Sequence, residues 1–203
     1  MNIDLHVHTN RYSRCSTSPP ESILHQAVER GLDAVVFTDH NAFWPEDELE
    51  EFRDAVPEIK LFNGAEIDVP SLHHVLTVCE SPAPQLIGKD SPESFKRALK
   101  EIGGFAISAH PFRFFRDYDN RNREHPLPGV EIMSGHMSNE RDIRKSEQLA
   151  DFWNSRQFAS SDAHSVEEIG CFYTELDASP TNQGELIEAL ETAGVHPRGG
   201  PPT

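Results

Sequence analysis

Cysteine is scarce in this chain, and so is positive charge. Its 203 residues include only Cys15, Cys79 and Cys171, an odd number, widely spaced and with no CxxC pair. That excludes a disulfide framework and fits a reducing compartment. Lysine and arginine total 18 against 34 aspartates and glutamates, a formal net charge of −16. Such a surface repels a duplex backbone, so a general nucleic-acid-binding role is excluded. A small anion gripped by metals and a few arginines is not. Long apolar runs are also missing: nothing approaches the roughly 20 residues a membrane helix needs. The N-terminus lacks the basic-then-apolar pattern of a secretory leader. These absences point to the cytoplasm and to no membrane partner, while oligomeric state leaves no mark on the sequence.

Histidine, by contrast, is abundant, with eleven in the chain. Two of them open the sequence in Asp4-Leu5-His6-Val7-His8-Thr9. Strand periodicity puts Asp4, His6 and His8 on one face and Ile3, Leu5 and Val7 on the other. Imidazoles in a row on a buried strand suggest a divalent metal, and the search is then for the remaining ligands.

Strand and helix signals alternate along the chain. Helical spacing predicts helices over 21–31, 45–55, 92–102, 139–155 and 185–193, with Ser18 and Ser91 as candidate caps. Short apolar runs predict strands at 33–38, 59–68, 74–79, 105–109, 130–133, 158–161 and 172–176. That alternation implies an α/β domain around a parallel sheet. At roughly 250 residues for a full eightfold barrel, this chain suits a small or irregular one. One domain over 1–194 is expected, with 195–203, ending Gly199-Gly200-Pro201-Pro202, as a frayed tail.

Polar residues recur where the strands end: His6 and His8, Asp39 and His40, Glu66 and Asp68, His73 and His74, His110, Asp162 and His164. Sites in parallel α/β folds are built at that end of the sheet. Imidazole and carboxylate suit zinc, manganese and iron alike, and Glu66 could bridge two ions.

Four stretches, Asp4-Leu-His-Val-His-Thr9, Thr38-Asp-His-Asn41, Gly64-Ala-Glu-Ile67 and Ser161-Asp-Ala-His164, resemble the motifs of the polymerase and histidinol phosphatase (PHP) family of metal-dependent phosphoesterases. His110-Pro111 after a strand is a further match. The resemblance implies an irregular (β/α)7 TIM-like barrel with metals at the C-terminal strand ends. It implies a first ion on His6, His8, Glu66 and Asp162, and a second sharing Glu66 and adding His74 and His110. Asp4 and Asp39 would orient ligands from behind. His73 would be the non-ligand neighbour of His74.

The family's third ion uses histidines matching His40 and His164 plus an acidic residue or histidine in the turn after the first motif. Here Arg14 occupies that position, and an arginine cannot ligate a cation. Arg14 could replace the third ion and grip phosphate, Cys15 could slide in as a thiolate, or the turn could be solvated surface. Two divalent ions are therefore expected, with the third left open. The activity implied is hydrolysis of a small phosphate monoester, a metabolite, nucleotide or short oligonucleotide, by metal-activated hydroxide. Arg14, Arg113 and Arg116 would bind the phosphate, and His164 or His40 would protonate the leaving oxygen. His136 is placed between substrate contact and solvent exposure. The alternatives are an amidohydrolase-like reaction on a non-phosphate substrate and a non-catalytic metal-bound sensor.

Overall fold

The computed structural model describes residues 1–113, 124–137 and 139–200. In chain order the elements are β1 (Asn2–Val7), α1 (Pro20–Glu29), β2 (Ala34–Phe37), α2 (Glu46–Ala55), β3 (Lys60–Val69), β4 (His73–Val78), α3 (Pro92–Ile102), β5 (Phe105–Ser108), β6 (Gly129–Ser134), α4 (Glu140–Trp153), β7 (Arg156–Ser160), β8 (Phe172–Leu176), α5 (Gln183–Thr192) and β9 (Val195–Gly199). The nine strands form one sheet, ordered β7-β6-β5-β4-β3-β2-β1-β8-β9. It curls until β7 lies against β1, β8 and β9, a nearly closed barrel. The closing seam has side-chain bonds in place of a full ladder. Thr174 Oγ1 accepts from Ala159 N at 3.0 Å and donates to Ala159 O at 2.8 Å.

The irregular TIM-like α/β barrel expected from the sequence is the fold observed, with nine strands. Its sheet is mixed, not parallel throughout. β1–β2–β3 and β5–β6–β7 are parallel runs, but β4 is antiparallel to both its neighbours and β8 to both of its own. The cause is local: Pro70-Ser71-Leu72 joins Val69 to its cross-strand partner His73, and so short a turn can only return the chain antiparallel. Val195–Gly199, expected to fray, is β9, paired with β8. An edge strand tolerates Pro197, because it need donate on one side only. Ser91 caps α3 as expected, in a reciprocal box with Ser94, whereas the cap position of α1 is Pro19 and not Ser18.

The barrel interior is apolar at one end and polar at the other. Ile3, Leu5, Ala34, Val36, Phe62, Leu76, Val78, Phe105, Ile107, Phe158 and Leu176 form one buried cluster, closed below by Leu186, Ile187 and Leu190 of α5. Gly129 of β6 is small by necessity there: a Cβ would stand 2.8 Å from both Ile107 Cγ1 and Phe158 Cε2. Two further clusters pack helices outside the sheet, α1 and α2 against β1–β3, and α3 and α4 against β3–β6. Among the described residues no helix is long and apolar enough to cross a membrane.

Strand β1 departs from strict alternation, and the departure aims the histidines. Asp4 is paired with Val35 and Val7 with Phe37, so three steps on β1 match two on β2. This is a β-bulge in which Leu5 and His6 together oppose Val36. Val7 consequently packs in the outer cluster with Val35 and Phe37, while Leu5 belongs to the interior cluster. The expectation that Asp4 shares a face with His6 and His8 is corrected: Asp4 lies outside. The displaced N–H groups are satisfied locally, Val7 N by Thr38 Oγ1 at 2.9 Å and His6 N by Asp4 Oδ1 at 3.4 Å.

Candidate metal centre

Seven imidazoles, those of His6, His8, His40, His74, His110, His136 and His164, gather around two buried carboxylates, Glu66 and Asp162. The fold brings them to one mouth of the barrel. His8, His40, His110 and Asp162 follow the ends of β1, β2, β5 and β7. His74 is the second residue of β4, and because β4 runs the other way its first residues reach the same end. Asp162 and His110 sit at positive φ, 53° and 25°. Left-handed backbone at a non-glycine costs roughly 1–3 kcal/mol and is concentrated at functional turns.

Glu66 is central. Its Oε1 lies 2.7 Å from His74 Nδ1, 3.1 Å from His110 Nε2 and 3.5 Å from His6 Nε2. Its Oε2 lies 2.9 Å from His40 Nδ1 and 3.2 Å from His8 Nε2. Asp162 Oδ1 is 3.3 Å from both His6 and His8 Nε2. The triads His6–His8–Asp162, His6–Glu66–His110 and His40–Glu66–His74 each bring three ligand atoms within 4.8 Å of one another. Burial pushes both carboxyls up. The histidines, His6 foremost, outweigh that and hold Glu66 and Asp162 well below the usual carboxylate range. His6 mirrors them: burial drives it down, but Asp162, Glu66 and Glu131 raise it well above an ordinary imidazole.

The donor set fits divalent cations. Glu66 Oε2 and Asp162 Oδ1 are buried and accept no hydrogen bond, despite imidazole nitrogens at 2.9–3.3 Å. His6 Nδ1 faces Glu131 Oε1 at 3.2 Å, and a carboxylate can only accept, so Nδ1 carries the ring proton. The second proton that these carboxylates draw to Nε2, 3.0 Å from His8 Nε2, is the one a cation would displace on binding there. Converging lone pairs and carboxylate oxygens repel unless a cation joins them, and His/carboxylate sets of this kind suit zinc, manganese and iron.

The expected ligands His6, His8, Glu66, His74, His110, Asp162, His40 and His164 are thus all brought together, with His40 2.9 Å from Glu66 against 2.7 Å for His74. His8, His40 and His164 form a further triad that includes neither Arg14 nor Cys15. Arg14 is exposed and makes no hydrogen bond or ion pair with another described residue. Cys15 is also exposed, and burial of its inner side, with Glu66 and Asp162 nearby, raises its thiol pKa. His73 joins no ligand group among the described residues. Arg113 Nη1 donates to Asp162 Oδ2 at 2.7 Å, so its guanidinium is turned onto a candidate ligand. Arg116 lies outside the described residues.

Neither Asp4 nor Asp39 hydrogen-bonds an imidazole, and their supporting role is corrected to holding the loops that carry the ligands, Asp4 through backbone N–H groups and Asp39 through one backbone N–H and two side chains. Asp4 accepts from Ser161 N at 2.9 Å and Gly170 N at 3.1 Å, fixing the turn that carries Asp162. Asp39 accepts from Thr9 N, Thr9 Oγ1 and Trp44 Nε1 at 2.7–2.8 Å, tying the first loop to the second. The carboxylate that does hold a ligand ring is Glu131, missed in the sequence. Fully buried on β6, it accepts from His110 N at 2.7 Å and from His6 Nδ1. Its signal was a lone charge inside the apolar run Val130-Glu-Ile-Met133. Ser13 was missed too: its Oγ accepts from His40 N at 2.9 Å and lies 3.2 Å from His8 Nδ1. Asp68 steadies His74 through Oδ1 at 3.2 Å and is itself held by Asn41.

A family model, the PHP domain, matches residues 4–112, and the PHP-associated model matches residues 140–193. An uncharacterised protein of Methanocaldococcus jannaschii is 28% identical over 152 residues, covering 67% of this chain and 83% of the relative. A two-domain protein from Bacteroides vulgatus containing a predicted PHP-like metal-dependent phosphoesterase superposes over 98% of this chain with a TM-score of 0.77 at 20% identity. A lesion-specific endonuclease from Pyrococcus furiosus superposes over 97% with a TM-score of 0.69 at 14% identity. This chain spans 65% and 57% of those two proteins, and identities so low speak for the fold alone. With the PHP model matching more than half of its length on a barrel that carries the expected ligands at one mouth, the chain belongs to the PHP domain family.

Proposed function

We infer that this protein is a metal-dependent phosphoesterase whose substrate is a small phosphate monoester, such as a metabolite, a nucleotide or the end of a short oligonucleotide. The observation that carries this is the convergence of six histidines on Glu66 and Asp162 at the barrel mouth. Two divalent ions held by these residues would lower the pKa of water and offset charge developing on phosphorus oxygens. Glu66, with imidazoles around both of its oxygens, would be the residue shared by the two ions. Asp162 is oriented by Arg113 and by His136, whose Nδ1 is 3.0 Å from Oδ2.

Phosphate as the reacting group is supported by the exposed cation of Arg14, one residue from Ser13, which fastens His8 and His40. A groove of about 740 Å³ beside His74, lined by Asp68, Val69, Pro70, Ser71, His73, Gly88 and Lys89, offers room for the leaving group. Burial and then His8 push His164 below an ordinary imidazole, favouring its neutral state. The proton for the leaving oxygen would come from His164 or His40. The relation in fold to an endonuclease gives a second reading, attack on a diester.

Turnover of p-nitrophenyl phosphate and of bis-p-nitrophenyl phosphate with added Mn²⁺ separates these readings. Monoester turnover in the wild type, abolished in Asp162→Ala, supports the proposal. Turnover of the diester alone would replace it. No turnover across a broad phosphoester panel by protein carrying two ions would make the chain a metal-bound binder.

A further inference from the structure

One group of ligand residues at the mouth uses none of the atoms aimed at Glu66 and Asp162. His136, His164 and Glu168 bring three ligand atoms within 4.8 Å of one another. Each is already anchored through its other polar atom. His136 Nδ1 donates to Asp162 Oδ2 at 3.0 Å. His164 Nδ1 is 2.9 Å from the Asp162 carbonyl oxygen, which can only accept, so that nitrogen too bears the proton. Glu168 Oε2 accepts from the backbone N–H groups of His164 and Ser165 at 2.8 and 2.9 Å. What remains is two Nε2 lone pairs and Oε1, on three side chains pinned from behind. This is the arrangement in which outer hydrogen bonds fix tautomer and orientation before an ion arrives.

We propose that His136, His164 and Glu168 form an outer metal site of the two-histidine, one-glutamate kind, holding a zinc-type ion that leaves a coordination position open to solvent. Three protein ligands with an open fourth position are the pattern of reactive, not structural, zinc. Ligand atoms on a tetrahedral ion are about 3.4 Å apart, given metal–ligand bonds near 2.1 Å. His136 Nε2 and Glu168 Oε1 are 3.9 Å apart. Both side chains are about a third or more exposed, 32% and 40%, so a small rotation closes that gap without disturbing the core. The Arg113 guanidinium shares Asp162 Oδ2 with His136 and places a positive charge nearby. The outer ion is accordingly held more weakly than the central ones and exchanges freely. Its open position faces the mouth, where an anionic substrate group can take it. The site does not depend on which ester the central ions attack.

The test is metal stoichiometry. Wild-type protein already loaded at its central groups is titrated with Zn²⁺ by calorimetry, and elemental analysis after dialysis at fixed free Zn²⁺ gives the ion count. One further, weaker ion per chain is expected, with its affinity reduced at least thirtyfold in both His136→Ala and Glu168→Gln. Glu168→Gln keeps an oxygen for the two backbone N–H groups, and retention of its central ions with an unchanged circular dichroism spectrum shows that it is folded; His136→Ala also removes a donor from Asp162 Oδ2, so its fold is read from circular dichroism alone. Absence of a further ion in the wild type overturns the proposal. So does a further ion that survives either variant, since it would then sit elsewhere, for instance on His8, His40 and His164.

Discussion

Glu131→Gln changes one buried atom and should unsettle the metal centre without touching a ligand. The Glu131 carboxylate serves two donors at once, His110 N at 2.7 Å and His6 Nδ1 at 3.2 Å, at 0% exposure. An amide has one acceptor oxygen, so its NH₂ must face one of those donors. Against His110 it leaves buried N–H groups opposed, at a cost of roughly 1–3 kcal/mol in stability. Against His6 it forces the ring proton from Nδ1 to Nε2. Nε2 is the atom 3.3 Å from Asp162 Oδ1, so the lone pair meant for a cation is lost. Removing the partner behind a ligand histidine weakens metal binding by about 10–100-fold, or roughly 1.4–2.8 kcal/mol at 1.4 kcal/mol per decade. Competition with a chromophoric chelator for Zn²⁺ or Mn²⁺ reads that loss, and urea unfolding of the metal-free protein reads the other. A Glu131→Gln variant matching the wild type within twofold in affinity and also in stability would refute the assignment of Glu131 as the residue that sets His6.

Burial pushes the Asp4 carboxyl up to about 6, against hydrogen bonds from Ser161, Gly170 and His6 that lower it. The folded state then binds that proton more tightly than an unfolded chain at 3.8, so this contribution to stability is present at low pH and lost as pH rises through 6. At 1.36 kcal/mol per unit the full spread is about 3 kcal/mol, of which about 2 kcal/mol falls between pH 4 and 7; the stability difference between metal-free wild type and Asp4→Asn, from urea curves, should shrink by that amount over this range, and a pH-independent difference would contradict the assignment. Gly129→Ala places a methyl group against Ile107 and Phe158 and should cost about 1–3 kcal/mol as overpacking, seen as a lower Tm; an unchanged Tm would mean that β6 has room to spare. Arg113→Met removes one of the two donors on Asp162 Oδ2 and should weaken the first metal about tenfold; a raised KM with metal affinity intact would return Arg113 to the substrate.

Most of the ligands were legible because they sit near strand ends, where short apolar runs stop at polar residues; Glu66 lies within β3. The supports were not, because their partners lie on other loops and strands far along the chain. Asp4 and Asp39 look in sequence like partners for histidine, yet Asp4 spends its oxygens on backbone N–H groups of a neighbouring turn and Asp39 on Thr9 and the Trp44 indole, uses that only the folded path reveals. Glu131 shows the reverse. A lone glutamate in an apolar strand reads as surface, and its ring partner His6 is 125 residues away. β9 escaped notice because proline and glycine disguise a strand that needs hydrogen bonds along one edge only.

The bulge in β1 was the least legible feature and has the widest consequence. With Ile3 and Leu5 facing in, a strict two-residue period would next turn Val7 inward, not His6 or His8. Ile3 and Leu5 belong to the buried interior cluster, and the polar mouth begins directly above them. One extra residue opposite Val36 lets Leu5 end the apolar floor and His6 begin the metal cage on the same inward face, while Val7 turns out to Phe37. Without that insertion His6 and His8 would share the face of Asp4, among Val35, Phe37 and the helices outside. There a pair of imidazoles would meet neither Glu66 nor Asp162. The metal centre thus depends on a register shift as much as on its ligands, and Thr38 and Asp4, which satisfy the N–H groups the shift displaces, belong to its construction.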